Sequence, residues 1–252
     1  MTTDLLICDP YSATPTVPTD VRTDQGGLMH HLHIERHGEG PLVVFTHGGG
    51  DTMATWAHQI GHFAGAGWST LGWDLRGHGR SAAPHDPAYY SRDLAIEDLE
   101  ALVDGRPAVL VGHSLGGYLS LCVALRHPEW VRALVLVATG PGFRDDVARQ
   151  RWNRATAKGM AKLPVPDEAA GLLFHTDSWV IDNLAAIAVP VLQIVGARDE
   201  MFLRSTNYMA TKLTGPTITH VVPGAGHHVH RGAADITNRA IEAFLQGLPP
   251  SN

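Results

Sequence analysis

The feature that most limits the possible folds of this chain is the string VLVGHSLGG at residues 109–117. It directly follows a buried strand pattern and directly precedes an amphipathic helix pattern. A serine on so sharp a turn needs a strained backbone, and the flanking residues Gly112 and Gly116 are required because side chains there would collide. We therefore expect Ser114 at the carboxyl end of a strand in an open α/β sheet, where such folds bind ligands. The next residue, Leu115, offers a backbone N–H at a helix N-terminus, where the helix dipole favours negative charge.

Short apolar runs bounded by glycine or proline recur along the chain, with helical patterns between them. Most runs lack a two-residue alternation, which is typical of strands that are buried on both faces of a sheet. The pattern predicts an α/β fold in which helices flank a mostly parallel central sheet. The expected strands are 28–36, 41–46, 69–73, 108–111, 133–138, 190–195 and 218–222. The expected helices are 52–64, one capped by Ser91, 115–126 and 235–245.

Two segments depart from this alternation. Residues 1–25 are rich in threonine and proline and are expected to form a tail or a surface arm, which leaves 26–252 as a single domain. At about 141–184 the pattern is helical without an intervening strand, so we expect an insertion that forms a lid over the sheet edge. Basic residues recur there at helical spacing and form one face of a helix. Such a face is more typical of a solvated outer surface than of an anion-binding or lipid-binding surface. Its residues are Arg151, Arg154, Lys158 and Lys162.

Composition excludes several classes of function. The chain has 252 residues, enough for a sizeable core, and its 44% hydrophobic and 17% charged residues argue against disorder. A net charge of −6 gives no general basic surface for nucleic acid or anionic membranes. No apolar run reaches the ~18–20 residues that span a bilayer, and residues 1–10 lack a secretory signal. With only Cys8 and Cys122, which we interpret as reduced, we expect a cytoplasmic protein that acts on a small molecule.

A serine hydroxyl is a weak nucleophile and needs a base, which in turn needs an orienting carboxylate. In this architecture the acid and then the histidine follow at the ends of later strands. The string PVLQIVGARD at 190–199 ends in Asp199, and ITHVVPGAGH at 218–227 ends in His227. The sequence therefore supplies both partners for Ser114 in the expected order.

Together these motifs resemble the α/β-hydrolase superfamily, specifically its single-domain branch of serine esterases, lipases and epoxide-hydrolase-like enzymes. The resemblance covers roughly residues 28–245. It implies Ser114 as nucleophile, Asp199 as acid and His227 as base. His228 and, less strongly, His230 are alternatives for the base, and Asp145 is the alternative acid. The matching motifs are HGGGD at 47–51, WDLRGHGRS at 73–81, GHSLGG at 112–117, VPVLQIVGARDE at 189–200 and VPGAGHH at 222–228.

The resemblance also implies an oxyanion hole and a structural motif. The backbone N–H of Gly49 would form the hole with that of Leu115, and Gly50 is the alternative one residue on. Residues 73–81 would buttress the nucleophile turn without taking part in chemistry. No phosphate-binding GxxxxGK[ST] string occurs, and no cofactor is implied.

Sixteen histidines raise the question of a metal site. The densest group is His30, His31 and His33, but a strand would place His30 on the opposite face from the other two. No cysteine or carboxylate cluster completes a site, and HExxH is absent. We therefore expect solvated strand histidines and no metal.

Apolar residues of the insertion are candidates for the substrate pocket, although the same residues would serve as the core of a lid. The remaining candidates come from the loops around Ser114. The full set of pocket candidates is His47, Gly50, His113, Phe143, Trp152, Met160, Phe174, Trp179 and His228.

The function expected from the sequence is a serine hydrolase that cleaves a carboxylic ester, lactone or thioester of a small to medium apolar substrate through an acyl-enzyme. Dehalogenases and epoxide hydrolases of the family use aspartate as nucleophile, so Ser114 argues against both activities. A carbon–carbon bond hydrolase acting on a diketone-type substrate, or a perhydrolase, would use the same triad. A ligand-binding, receptor-like protein on this fold is the alternative from another class. The oligomeric state is not constrained.

Overall fold

The computed structural model describes residues 31–249, and within them the chain folds around a seven-stranded sheet. The expected tail at 1–25, His30 and Cys8 lie outside the described residues. The strands are β1 (Ile34–His37), β2 (Leu42–Thr46), β3 (Ser69–Trp73), β4 (Ala108–His113), β5 (Val131–Val137), β6 (Val191–Gly196) and β7 (Thr217–Val222). Their order across the sheet is β1-β3-β2-β4-β5-β6-β7, and only β1 runs antiparallel to its neighbour.

Helices connect the parallel strands. The α-helices are α1 (Ala57–Gly65), α2 (Arg92–Val103), α3 (Leu115–Arg126), α4 (Asp146–Met160), α5 (Trp179–Asn183), α6 (Glu200–Ala210), α7 (Val229–Gly232) and α8 (Ala234–Gln246). Short 3₁₀ helices cover Met53–Trp56, Pro87–Tyr89, Pro128–Trp130, Asp167–Leu173 and Leu184–Ala186. The predicted α/β class, with helices flanking a mostly parallel sheet, is confirmed. Each of the seven expected strands is present, with bounds that differ at most ends.

The missing alternation in the strands has a direct explanation in the core. Val43 packs into an apolar cluster with α1 and α8, whereas its neighbour Val44 packs into a second cluster with α2 and α3 on the opposite face. Both valines are fully buried. A central strand covered on both faces carries apolar residues at every position, which is the pattern seen in the sequence. The edge strand β7 is the exception, because Ile218 and Val221 are exposed.

Helix boundaries follow local signals in most cases. The Ser91 hydroxyl accepts a hydrogen bond from the Leu94 N–H at 3.2 Å and so caps α2, as predicted. Helix α3 has the predicted bounds. Helix α6 was not predicted from the sequence. It buries only Thr206 and Met209.

The order of the strands determines where in the sheet the site lies. From β2 the chain moves to β3 on one side, and β4 and the later strands lie on the other side, so the sheet has its topological switch point between β2 and β4. In open α/β sheets the crevice at the carboxyl ends of such strands binds ligands. The glycine-rich loop after β2 and Ser114 after β4 meet at this crevice. The ends of β6 and β7 lie at the same edge of the sheet.

The insertion lies between β5 and β6 and contains α4, α5 and two 3₁₀ helices, with no strand assigned in it. On α4 the basic residues Arg151, Arg154 and Lys158 are exposed to solvent, whereas Met160 is buried in the core. Cys122 is also buried. None of the helices among the described residues is long and apolar enough to cross a membrane.

Candidate active site

The turn between β4 and α3 holds Ser114 in a strained conformation, with φ 50° and ψ −111°. Only three non-glycine residues among those described have a positive φ, and Ser114 is one of them. Its backbone N–H donates to the Val137 carbonyl at 2.9 Å, and the Thr139 hydroxyl donates to the Ser114 carbonyl at 3.1 Å. The turn is thus held in place by the end of β5, as a positioned nucleophile would require.

The glycines around Ser114 are required by close approach of other groups. A Cβ on Gly112 would collide with the backbone of residues 116 and 117. A Cβ on Gly116 would collide with the Thr46 carbonyl oxygen, and one on Gly117 with the Thr139 hydroxyl. This arrangement agrees with the steric reason for the glycines inferred from the sequence.

We expect Gly112→Ala to lower the free energy of unfolding by roughly 1–3 kcal/mol or more, because the added methyl group meets rigid backbone. Chemical denaturation of the two proteins measures the difference. The matched control is Gly61→Ala in α1, where an added Cβ meets nothing within 4 Å. This control should stabilise the helix by roughly 0.5–1 kcal/mol. Equal stability of Gly112→Ala and the parent protein would contradict the packing argument.

Asp199 and His227 form the shortest histidine–carboxylate contact among the described residues. The Nδ1 of His227 lies 2.6 Å from Oδ2 of Asp199, and the Asp199 side chain is only 10% exposed. An ionised carboxylate at this distance accepts from Nδ1–H, which leaves Nε2 of His227 with a free lone pair. The pair therefore has the tautomer that a general base requires.

His227 does not line the cavity itself but contacts one of its walls, Phe202. The Phe202 ring packs against the His227 ring with centroids 4.6 Å apart, and both Phe202 and Ser114 line the cavity. Among the described residues no hydrogen bond joins the Ser114 hydroxyl to His227. Such bonds are often long in an enzyme without substrate and tighten in the reactive complex. The His113 Nε2, 3.1 Å from the His227 carbonyl oxygen, ties the histidine loop to the residue before Ser114.

The alternative bases and acid have other contacts. His228 pairs with Asp51, with its Nε2 3.3 Å from Asp51 Oδ2, and this contact raises the pKa of His228. His230 is fully buried against the Trp56 ring, and burial lowers its pKa to about 2. Asp145 caps α4 by accepting from the Ala148 N–H at 2.7 Å. Asp199 with His227 is therefore the arrangement that best fits a catalytic pair.

Two buried histidines shape the glycine-rich loop. The His78 Nε2 accepts from the Gly50 N–H at 2.9 Å, while its Nδ1 lies 2.8 Å from the Arg76 carbonyl oxygen. His47 likewise accepts from the Leu75 N–H at 2.9 Å through Nε2. Burial lowers the pKa of both histidines, so both are neutral acceptors. Because its N–H is already used by His78, Gly50 is a poor oxyanion donor, which favours Gly49.

Residues 73–81 support the glycine-rich loop through hydrogen bonds. Asp74 accepts from the Met53 N–H at 2.8 Å and from the Arg80 N–H at 2.9 Å. The His33 ring, expected to be a solvated strand residue, instead precedes β1 and lies 3.1 Å from Asp74 with 10% of its side chain exposed. The hydrogen bonds of this motif thus reach the glycine-rich loop, consistent with a structural role.

Asp51, His113 and His228 form the group that could hold a metal ion, with one ligand atom from each residue within 4.8 Å of the others. Two imidazoles and a carboxylate are ligands that zinc uses. Burial alone would raise the pKa of Asp51, but His113 and His228 hold it well below its usual range. No sequence pattern indicates this cluster, because His113 ends β4 while Asp51 and His228 lie in two other segments of the chain. The absence of a metal stays a prediction.

The cavity above Ser114 has a volume of about 90 Å³. Of the pocket candidates, only Phe143 and Trp152 line it. Phe174 and Trp179 line a neighbouring cavity, and Met160 belongs to the core. The candidates in the loops around Ser114, namely His47, Gly50, His113 and His228, also do not line it. Its other walls are Arg92, Leu115, Tyr118, Gly140, Gly142, Leu173, His175, Met201, Phe202 and Ser205.

Arg92 and His175 line the cavity although no sequence pattern indicates either residue. The Arg92 Nη1 donates to His175 Nδ1 at 2.9 Å, and its Nη2 donates to the Leu173 carbonyl at 2.7 Å. The Asn153 amide in turn holds both backbone polar groups of His175 at 2.9 Å. Nothing in the spacing of Arg92, at the start of α2, reveals that it meets the insertion.

Burial and the neighbouring Arg92 lower the pKa of His175 to about 3. The unfolded chain takes up a proton near pH 6.5 while the folded chain does not, so the free energy of unfolding falls as pH drops below that value. We expect this histidine to contribute a loss of roughly 2 kcal/mol by pH 5. His175→Gln keeps an acceptor for Arg92 but cannot titrate. Urea denaturation at pH 7 and 5 should show a smaller loss for the variant, and an identical loss would contradict the assignment.

Comparison with known proteins agrees with this fold. A family model described as the alpha/beta hydrolase fold matches residues 41–164. The chain belongs to the α/β-hydrolase superfamily. It is 40% identical over 106 residues to an epoxide hydrolase of Caballeronia sordidicola, an alignment that covers 41% of this chain and 32% of that protein. The chain thus spans about a third of the length of that relative.

Two further similarities extend over most of the chain. The mouse (Mus musculus) protein named serine hydrolase BPHL is 24% identical over 271 aligned residues, covering 94% of this chain and 90% of that protein. The crystal structure of an esterase from Exiguobacterium antarcticum superposes with a TM-score of 0.74 at 18% identity. It covers 87% of this chain and 97% of the esterase. At this identity the structural likeness establishes the fold alone.

Proposed function

We propose that this protein is a serine hydrolase that cleaves a carboxylic ester, or a related lactone or thioester, through an acyl-enzyme. The observation that carries the proposal is the strained Ser114 at a cavity whose wall Phe202 packs against His227, and the Nδ1 of His227 is 2.6 Å from Asp199. A serine, a carboxylate and a histidine in this chain order and at these strand ends are the parts that acyl transfer needs.

In the proposed reaction the Ser114 oxygen attacks the substrate carbonyl carbon while its proton passes to Nε2 of His227. Backbone N–H groups of Gly49 and Leu115 stabilise the negative oxygen that forms. The bond to the leaving alcohol then breaks, and His227 returns the proton to that alcohol. Water, deprotonated by His227, next attacks the acyl carbon and releases the acid and Ser114. Asp199 holds the imidazole in the required tautomer throughout.

We infer that the insertion at about 141–184 acts as a lid. It contributes Phe143, Trp152, Leu173 and His175 to the walls of the cavity, so a substrate would lie between the insertion and Ser114. Such a cover would exclude water and present apolar surface to the substrate. A cytoplasmic location stays a prediction.

Fluorophosphonate labelling followed by peptide mapping tests the nucleophile, and product identification with a panel of esters, lactones and amides tests the reaction. We expect label on Ser114 and release of an acid together with an alcohol. The proposed reaction would be wrong if the protein cleaved no ester but instead cleaved a diketone, formed a peracid from peroxide or opened an epoxide. If Ser114 of the folded protein stays unlabelled, a ligand-binding role on this fold becomes the better interpretation.

A further inference from the structure

The cavity above Ser114 carries one fixed positive charge. Arg92 is one of its walls, and a guanidinium stays protonated at any physiological pH even though burial lowers its pKa. Among the described residues that line the cavity, none is aspartate or glutamate. Within the described part of the chain Arg92 also takes part in no ion pair within 4.0 Å. The positive charge is therefore uncompensated by the cavity walls.

The contacts of Arg92 hold it in place without neutralising it. Its partners are the His175 Nδ1 and the Leu173 carbonyl oxygen, both neutral acceptors, and its guanidinium stacks over the Tyr118 ring at 4.3 Å. His175 must be unprotonated at Nδ1 to accept, in agreement with its lowered pKa. The Asn153 side chain holds His175 in place through hydrogen bonds to its backbone. The guanidinium is thus positioned by a network that reaches from α2 to α4.

One donor of this guanidinium has no partner. The Arg92 Nε is buried and makes no hydrogen bond among the described residues. The Asp177 carboxylate influences Arg92 electrostatically and lines a neighbouring cavity that Arg92 also lines, but it forms no ion pair with Arg92. Leaving a charge and a donor buried without an anion is costly, and a bound anion would remove that cost.

We propose that Arg92 recognises an anionic group of the substrate, so that the preferred ester, lactone or thioester has an apolar body and a carboxylate. This inference rests on the proposed function. A carboxylate is the natural partner because the planar fork of arginine matches its two oxygens, and the surrounding Phe143, Trp152 and Phe202 accommodate the apolar body. Arg92 is then a specificity-determining residue. It binds the charged group of the substrate, while Ser114 attacks the carbonyl.

Two matched ester pairs test the proposal. In the first pair the charge lies in the acyl group: mono-para-nitrophenyl glutarate and its methyl ester. In the second pair the charge lies in the leaving group: para-acetoxybenzoate and its methyl ester. For each pair, kcat/KM is divided by the rate of alkaline hydrolysis to remove differences in intrinsic reactivity. We expect the parent protein to prefer the charged member of at least one pair by about tenfold or more, which is about 1.4 kcal/mol.

The variants separate charge recognition from a merely structural role. Arg92→Met should lose the preference for the charged ester while it still cleaves the neutral one. Arg92→Lys should keep part of the preference, because it retains the charge and loses the fork. If Arg92 only tied the insertion to α2, its loss would lower the melting temperature and slow both esters equally. An unchanged preference in Arg92→Met, or no preference in the parent protein for either pair, would overturn the proposal. Should Arg92→Met fail to fold, the charge preferences measured for the parent protein and for Arg92→Lys decide whether the proposal holds.

A binding measurement keeps this inference distinct from the proposed chemistry. Calorimetric titration of Ser114→Ala with hexanoate and with hexanamide reads charge recognition without turnover. We expect hexanoate to bind more tightly, to keep part of this advantage in Ser114→Ala combined with Arg92→Lys, and to lose it in Ser114→Ala combined with Arg92→Met. Arg92-dependent hexanoate binding without any ester cleavage by the parent protein would reject the proposed function alone. Ester cleavage without charge preference, together with equal affinity for the two ligands, would reject the anion site alone.

Discussion

Replacing Ser114 with alanine is expected to lower kcat for a chromogenic short-chain ester by about 10⁴-fold or more. The substitution removes the only atom that we assign to attack on the carbonyl, while the oxyanion donors and the cavity remain. Both residues carry a Cβ, so the strain at φ 50° is common to the two proteins, and the melting temperature should change little. Steady-state kinetics with active-site titration would measure the effect.

The matched control for this variant is Ser205→Ala, which removes a hydroxyl from another wall of the same cavity. The Ser205 hydroxyl donates to the Met201 carbonyl of its own helix at 3.3 Å, so its loss should leave kcat within a few-fold of the parent value. Full activity of Ser114→Ala would mean that another group performs the attack, and the assignment of the nucleophile would fail.

Sequence patterns were sufficient for the fold because each pattern reports a local physical constraint. The run VLVGHSLGG predicted a buried strand, a strained turn and helix α3, and the structure has all three. The collisions that an added Cβ would meet at Gly112 and Gly116 explain why this signal is strong. Helix α6 lacks such a signal, since only two of its residues are fully buried.

The walls of the cavity could not be predicted in the same way. Whether a side chain of the insertion faces Ser114 depends on how α4 and the following 3₁₀ helix pack, and spacing alone fixes neither. Of the five apolar pocket candidates taken from the insertion, only Phe143 and Trp152 line the cavity. Arg92 and His175 were missed because they lie 83 positions apart in sequence and meet only through the packing of the insertion on α2.

The second large effect is expected for Asp199→Asn, which should lower kcat by about 10³–10⁴-fold. Its side chain would no longer be an anion that accepts from Nδ1–H of His227 at 2.6 Å. The amide can instead donate to that nitrogen, which would place the imidazole proton on Nε2 and block it as a base. The volume of the side chain is unchanged, so the fold should persist. Kinetics with the same chromogenic ester, alongside a melting curve, measures both quantities.

The same chemical change at the alternative acid provides the control. Asp145→Asn should keep near-parental activity, because asparagine also caps helices and Asp145 already accepts from the Ala148 N–H at the start of α4. If instead Asp145→Asn were inactive and Asp199→Asn active, the carboxylate of the triad would have to come from the end of β5. A parallel pair, His227→Gln and His228→Gln, distinguishes the two adjacent histidines. The first should lose turnover like Ser114→Ala, whereas the second removes one of the two histidines that contact Asp51 and should retain most of the turnover.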